Sequence, residues 1–186
     1  MKHFTITNLP LTGLKLITRR RMVDDRGFLS RIFCAEELAA AAWNKPIAQI
    51  NHAYTAHKGT VRGLHFQQAP HSEMKLVTCI RGKVWDIAID LRVDSPTFLS
   101  WHAEILSAEN NLALIIPEGF AHGFQTLTDD VELLYCHSVL YNSNVEAGLN
   151  VADPQLEITW PLPIGKISER DANFALIDAT FEGVRL

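Results

Sequence analysis

Between Ile47 and Tyr141 the pattern of apolar and polar positions is that of short strands rather than of a helix. The alternation is cleanest from Val84 to Leu91. Trp85, Ile87, Ile89 and Leu91 take one face there, and Asp86, Ala88 and Asp90 take the other. Arg81-Gly82-Lys83 reads as a tight turn that would join this strand to Met74–Ile80 as a hairpin. Further strands are expected over Phe98–Leu106, Leu112–Ile116, Phe120–Leu127 and Val131–Tyr141. Asp94-Ser95-Pro96, Glu109-Asn110-Asn111 and Thr128-Asp129-Asp130 would turn between them. One helix is expected, Ala35 to Trp43, with glutamates in its first turn, an alanine run, and Asn44-Lys45-Pro46 to end it. After Asn142 the chain becomes loop-like, with a short helix capped by Ser168, and it should wrap the strands. So many short strands at close spacing predict a mainly β sandwich or barrel, one domain over residues 1–186.

Composition narrows the partners. At 186 residues and 47% apolar content, the chain can bury one well-packed core. A net charge of −4 disfavours non-specific nucleic-acid binding, although a local basic pocket for a phosphorylated small molecule remains compatible with it. Arg19-Arg20-Arg21 reads as a solvated face. Cys34, Cys79 and Cys136 are odd in number and widely spaced. That fits neither a disulfide framework nor a cysteine zinc site, and it fits a reducing compartment. The first residues do not resemble a signal peptide, and apolar runs such as Leu112–Pro117 are too short to span a bilayer. The expectation is a cytoplasmic protein with no membrane partner.

Two segments each place a lone histidine in an apolar, strand-like stretch: Arg62-Gly63-Leu64-His65-Phe66-Gln67 and Pro117-Glu118-Gly119-Phe120-Ala121-His122-Gly123-Phe124. A lone histidine in a barrel is more often a satisfied core residue, so further signals must decide. Pro117 to His122 resembles the Pro-x-Gly-x-x-His signature of the cupin barrel. Metal-binding cupins add a His-x-His and a downstream glutamate; here that region offers only His65, which argues against a required metal. Asp86 and Asp90, on an interior face, need donors if buried and should pair with Lys, Arg or His in a cavity. His52, His57, His71 and His102 carry no such signal. Tyr135, His137 and Tyr141 share parity with Leu133, so Tyr135 and Tyr141 can face one cavity. Val61, Gly63, His65 and Gln67 share a face, which leaves Arg62 on the other unless a bulge at Gly63 turns it.

An ordered set of motifs then becomes specific. Asp24-Asp25-Arg26-Gly27-Phe28, Gln49-Ile50-Asn51-His52, Arg62 to Gln67, Lys75-Leu76-Val77, Asp86 to Asp90, Ser95-Pro96-Thr97-Phe98, Leu106 to Asn110, Pro117 to Phe124 and Ser168 to Asp171 occur in that order. Together they resemble the dTDP-4-dehydrorhamnose 3,5-epimerase family over most of the chain. The resemblance implies a cupin-type jelly-roll β-barrel with a short N-terminal helix and a C-terminal wrapping segment. It also implies a cofactor-independent isomerase acting on a nucleotide-diphosphate 4-keto-6-deoxy sugar, whose ketone acidifies the C3 and C5 protons. By the same resemblance His65 is the base, Asp171 its orienting carboxylate, Lys75 the cation on the C4 oxygen and Tyr135 the acid on the opposite face. Arg26, Arg62 and Arg170 fall near the diphosphate, Gln49, Asn51, His122 and Glu146 at further substrate contacts, and Tyr141 on the thymidine. A homodimer is implied, with each N-terminal strand and its Arg26 completing the neighbouring site.

The pattern departs in places. Arg31 stands where the family usually has a glutamate, Ser72-Glu73-Met74 where a Gln-Gly pair is common, Cys136 in place of a basic residue, and Val151-Ala152 in place of Trp-Asn. These leave open a 3- or 5-mono-epimerase on a related sugar. A cupin that binds sugar without turnover is disfavoured by the joint presence of a base and an acid, and a metal-dependent cupin by the missing His-x-His.

Overall fold

The computed structural model describes residues 2–186. In chain order these form β1 (Phe4–Asn8), β2 (Lys15–Arg19), β3 (Arg21–Asp24), β4 (Gly27–Ser30), α1 (Ala35–Leu38), β5 (Gln49–Thr55), β6 (Val61–Gln67), β7 (Lys75–Arg81), β8 (Lys83–Asp90), β9 (Trp101–Ser107), β10 (Leu112–Ile116), β11 (Phe120–Thr126), β12 (Val131–His137), β13 (Glu146–Gly148) and α2 (Glu169–Ala172). One sheet runs β1-β2-β10-β7-β12-β5, the second runs β13-β6-β11-β8-β9, and β3 and β4 form a separate ribbon. The pairings between these strands are antiparallel. The two larger sheets face each other as a jelly-roll-like sandwich.

Alternation explains the layering. Val77 and Cys79 of β7, Val84 and Ala88 of β8, Phe120 and Phe124 of β11, and Val131 and Leu133 of β12 fill the space between the sheets. The opposite parity of the second sheet, with Ile87, Ile89 and Ala121, would face water. It is covered instead by Leu149, Val151, Leu156, Ile177 and Val184 of the C-terminal segment. This is why both faces of β8 are apolar or paired, and why the tail wraps. The first sheet's outer face, with Leu76, Ile115 and Cys136, is covered by Leu38, Ala41 and Trp43.

Several sequence expectations need correction. The helix is shorter than Ala35–Trp43: α1 gives way to a 3₁₀ turn, Ala39–Ala41, and Ala42 turns left-handed at φ 65° before Asn44-Lys45-Pro46 is reached. β7 and β8 are not a hairpin. β7 pairs with β10 and β12, β8 with β11 and β9, so Gly82 hands the chain from one sheet to the other. The strand expected from Phe98 begins only at Trp101, and the one expected to reach Tyr141 ends at His137. Arg19 is buried and Arg21 lies 4.2 Å over the Phe28 ring, so only part of the basic run is solvated. Asp90 is buried as expected, but it pairs with Arg92, Ser95 and Thr97 in the loop after β8 rather than in a cavity lined by the histidines.

Candidate active site

At one end of the sandwich the inner-facing positions change from apolar to polar. Continuing the parity of Val77 brings Lys75 inward, and continuing that of Leu133 brings Tyr135 and His137. From the other sheet come His122, between Phe120 and Phe124, and Asp86, between Val84 and Ala88. The result is a cavity of about 510 Å³ walled by both sheets. A bulge brings Arg62 into it. β6 opposes His65 to His122 and Arg62 to Phe124, so two residues of β6 span one of β11. Gly63 makes this possible. Its φ of +110° suits glycine, and a Cβ there would meet Gly123 Cα and the His122 carbonyl oxygen at 2.7 Å.

His65 Nε2 lies 2.8 Å from Asp171 Oδ1, and the Gly63 backbone N–H donates to Asp171 Oδ2 at 3.1 Å. The α2 cap fixes Asp171 in turn, its N–H donating to Ser168 Oγ at 3.1 Å. Burial opposes its ionisation most strongly, yet the bonds from His65, Gly63 and Ser168 hold its carboxyl down at about 2. An ionised Asp171 favours the proton on His65 Nε2, although the Arg170 guanidinium, a donor, also lies 2.9 Å from that nitrogen. With the proton on Nε2, Nδ1 is the basic nitrogen, and it makes no hydrogen bond among the described residues. Arg170 anchors this corner through Glu146 at 2.7 Å and Asp171 at 3.3 Å.

A second histidine–carboxylate pair lies deeper. His122 Nε2 is 3.0 Å from each oxygen of Asp86, and its ring sits edge-on to Tyr135, 5.9 Å between centroids. Burial, then the Asp86 charge, pushes the Tyr135 hydroxyl well above its ordinary value, against a pull from Arg62. Tyr135 therefore keeps its proton. It comes from the sheet facing His65, so an imidazole base and a phenolic acid line one cavity from opposite walls. At the mouth, Tyr141 Oη donates to Glu146 at 2.9 Å, and Gln49 Oε1 accepts from the Tyr141 N–H. Among the described residues no three of His, Cys, Asp and Glu gather as a metal-ligand set.

The dTDP-4-dehydrorhamnose 3,5-epimerase family model matches residues 8–179. The chain belongs to this family. It is 39% identical to a dTDP-4-dehydrorhamnose 3,5-epimerase of Sinorhizobium fredii over 167 residues, 89% of this chain and 86% of that protein. It is 35% identical over 171 residues to a dTDP-4-dehydrorhamnose 3-epimerase of Streptomyces niveus, 91% of this chain and 82% of that protein. Among solved structures it is similar to a dTDP-6-deoxy-D-glucose-3,5-epimerase of Legionella pneumophila in complex with dTDP-4-keto-L-rhamnose. The TM-score there is 0.91, with 36% identity over 99% of both chains.

Most residues singled out by resemblance to the epimerase family meet in this cavity. His65, Lys75, Tyr135, Gln49, Asn51, Arg62, His122, Tyr141 and Glu146 line it. Asp171 stands behind His65. Arg170 borders an adjoining cleft shared with Arg62, His65 and Asp171. Tyr141 arrives from the loop after β12, not on the strand as expected. Arg26 is not brought to the cavity: it sits at the tip of the β3–β4 ribbon, paired with Asp24 at 2.6 Å. The charge reversal at Arg31 is absorbed locally, where it donates to Glu37 at 3.1 Å. Sequence reasoning missed Glu73 and His137, which also line the cavity. The shared parity of His137 with Tyr135 was a signal; for Glu73 the one mark was its place in the Ser72-Glu73-Met74 departure from the family pattern, just before Lys75.

Proposed function

We propose that the chain is a metal-independent epimerase that inverts C3 and C5 of dTDP-4-dehydro-6-deoxyglucose, giving dTDP-4-dehydrorhamnose. The observation that carries this reading is the His65–Asp171 pair on one wall of a cavity whose facing wall bears Tyr135 and Lys75. His65 Nδ1 removes the proton on the carbon beside the ketone, and the electron pair moves onto the C4 oxygen as an enolate. Lys75 donates to that oxygen, a contribution of the kind worth ~2.7–4 kcal/mol. Tyr135 returns a proton to the opposite face, and solvent restores both groups. The ketone itself supplies the acidity, so the reaction needs no cofactor. Arg62 and Arg170 suit the diphosphate and Tyr141 suits the thymine ring, with Gln49, Asn51, His122 and Glu146 as further contacts. We place the enzyme in the cytoplasm as a single-domain subunit of a homodimer. No helix among the described residues is long and apolar enough to cross a membrane.

A second reading, inversion at one carbon only, is favoured by the likeness to the 3-epimerase of Streptomyces niveus. Proton NMR of dTDP-4-keto-6-deoxyglucose with the enzyme in D2O separates the two. Deuterium at C3 and C5 with inversion, absent with His65→Asn, is the expected result. Tyr135→Phe should still exchange the proton, because His65 can return it to the face it left, but should not invert the centre. Deuterium at one carbon establishes a mono-epimerase, and none at either refutes the substrate assignment.

A further inference from the structure

In the sheet that carries Tyr135, Lys75 of β7 stands in register with His137 of β12. Glu73, two residues before Lys75, reaches both: its Oε1 is 3.1 Å from Lys75 Nζ and its Oε2 is 2.7 Å from His137 Nδ1. The three side chains are only 9–11% exposed, yet all face the cavity. Burial works hardest against ionising Glu73, but the Lys75 charge and the His137 hydrogen bond still hold its carboxyl below the usual range. A carboxylate therefore sits on the ammonium offered to the substrate. Alone, it would work against the chemistry, since a neighbouring anion in a low-dielectric cavity offsets the field that a growing oxyanion needs. The far side of His137 is also fixed. Its Nε2 is 3.4 Å from Asn51 Nδ2, and Asn51 Oδ1 accepts from Gln49 at 3.1 Å.

We propose that Glu73 and His137 are positioning residues that act through Lys75. Glu73 fixes the ammonium, and His137, by taking the second carboxylate oxygen, draws the anion away from it. Lys75 then keeps its remaining N–H donors and most of its field for the substrate C4 oxygen. This inference rests on the reading of the cavity as a 4-keto-sugar epimerase site. It predicts reciprocal rescue: without His137, Glu73 becomes harmful, and neutralising Glu73 repairs the damage.

The test is steady-state kinetics on dTDP-4-keto-6-deoxyglucose, with kcat expressed per folded protein below each variant's melting temperature. His137→Gln should lower kcat at least ~10-fold, a part of what a whole oxyanion donor supplies, with KM changed less than ~3-fold. Adding Glu73→Gln to it should recover most of that loss. An unchanged kcat in His137→Gln, or a double variant as slow as the single one, overturns the inference. Should His137→Gln fail to fold, Glu73→Gln is compared with Glu73→Gln/His137→Gln. Equal kcat values are then expected, and a further ~10-fold loss in the double variant overturns the inference by giving His137 a direct role. A wild-type protein that exchanges neither C3 nor C5 overturns the proposed function itself; normal wild-type exchange with either adverse result overturns this inference alone.

Discussion

Asp171 accepts from His65 through one oxygen and from the Gly63 N–H through the other, and both bonds favour its ionised form. Its carboxyl is held at about 2 against an ordinary 3.8. A depressed carboxylate contributes stability that is present above the unfolded value and lost as pH falls through the folded one. The relevant window is therefore roughly pH 4 down to pH 2, and the contribution is about 2 kcal/mol. In urea unfolding, the stability difference between wild type and Asp171→Asn should be full at neutral pH and shrink across that window. A constant difference would show that Asp171 stabilises by packing instead. The same variant should lose ~100-fold or more in kcat, since an amide can hold the imidazole but does not favour the tautomer that leaves Nδ1 basic. At this scale the sequence was informative where the motifs were. His65, Lys75, Tyr135 and Asp171 were all legible by resemblance to the family, but that Asp171 meets His65 was not, because 106 positions separate them. Glu73 stood out only as part of a departure from the family pattern and His137 only by its parity with Tyr135; the β7–β12 register, which sets Lys75 beside His137, is what brings the two together.

Among the elements, β6 decides the geometry. Its bulge places Arg62 and His65 on one cavity wall despite their three-residue spacing, which straight alternation would put on opposite faces. Gly63→Ala should be costly on two counts, a left-handed φ and a Cβ against backbone atoms of β11 at 2.7 Å. We expect a loss of ~3 kcal/mol in unfolding free energy. A fall in kcat of at least ~10-fold should accompany it, because a displaced base loses its near-attack geometry. A fully active, equally stable variant would show that the bulge does not position the base. Alternation located β8, β10, β11 and all of β12, which it overran toward Tyr141, because it reports which residues share a face. It says nothing of which strand lies beside which. β7 and β8 therefore looked like a hairpin although Gly82 carries the chain between sheets. The helix was overextended for a related reason: alanine propensity is weak beside the demand that Trp43 bury itself against the first sheet.

For the whole molecule, the ribbon of β3 and β4 is the part that one chain does not explain. It belongs to neither large sheet, and Val23, Phe28 and Leu29 are 74%, 59% and 68% exposed on it. Apolar side chains grouped on a short ribbon favour burial against a surface the same chain does not supply. β5, whose sheet edge is open, exposes Ile50 and Tyr54 close to the cavity residues Gln49 and Asn51. A second copy that laid its ribbon over this region would cover both patches, and two-fold symmetry would repeat the contact. It would also give Arg26, idle within its own chain beside Asp24, a phosphate to bind. If Arg26 serves the neighbouring site, Arg26→Ala and His65→Asn break different halves of it. Each variant alone should have little activity. When the two are co-expressed, a mixed dimer holds one site with the intact His65 of one chain and the intact Arg26 of the other. With random pairing, about a quarter of all sites should then be whole, and activity should recover to about that fraction of wild type. An arginine acting within its own chain leaves every site defective, so co-expression would recover nothing, and the ribbon would need another purpose.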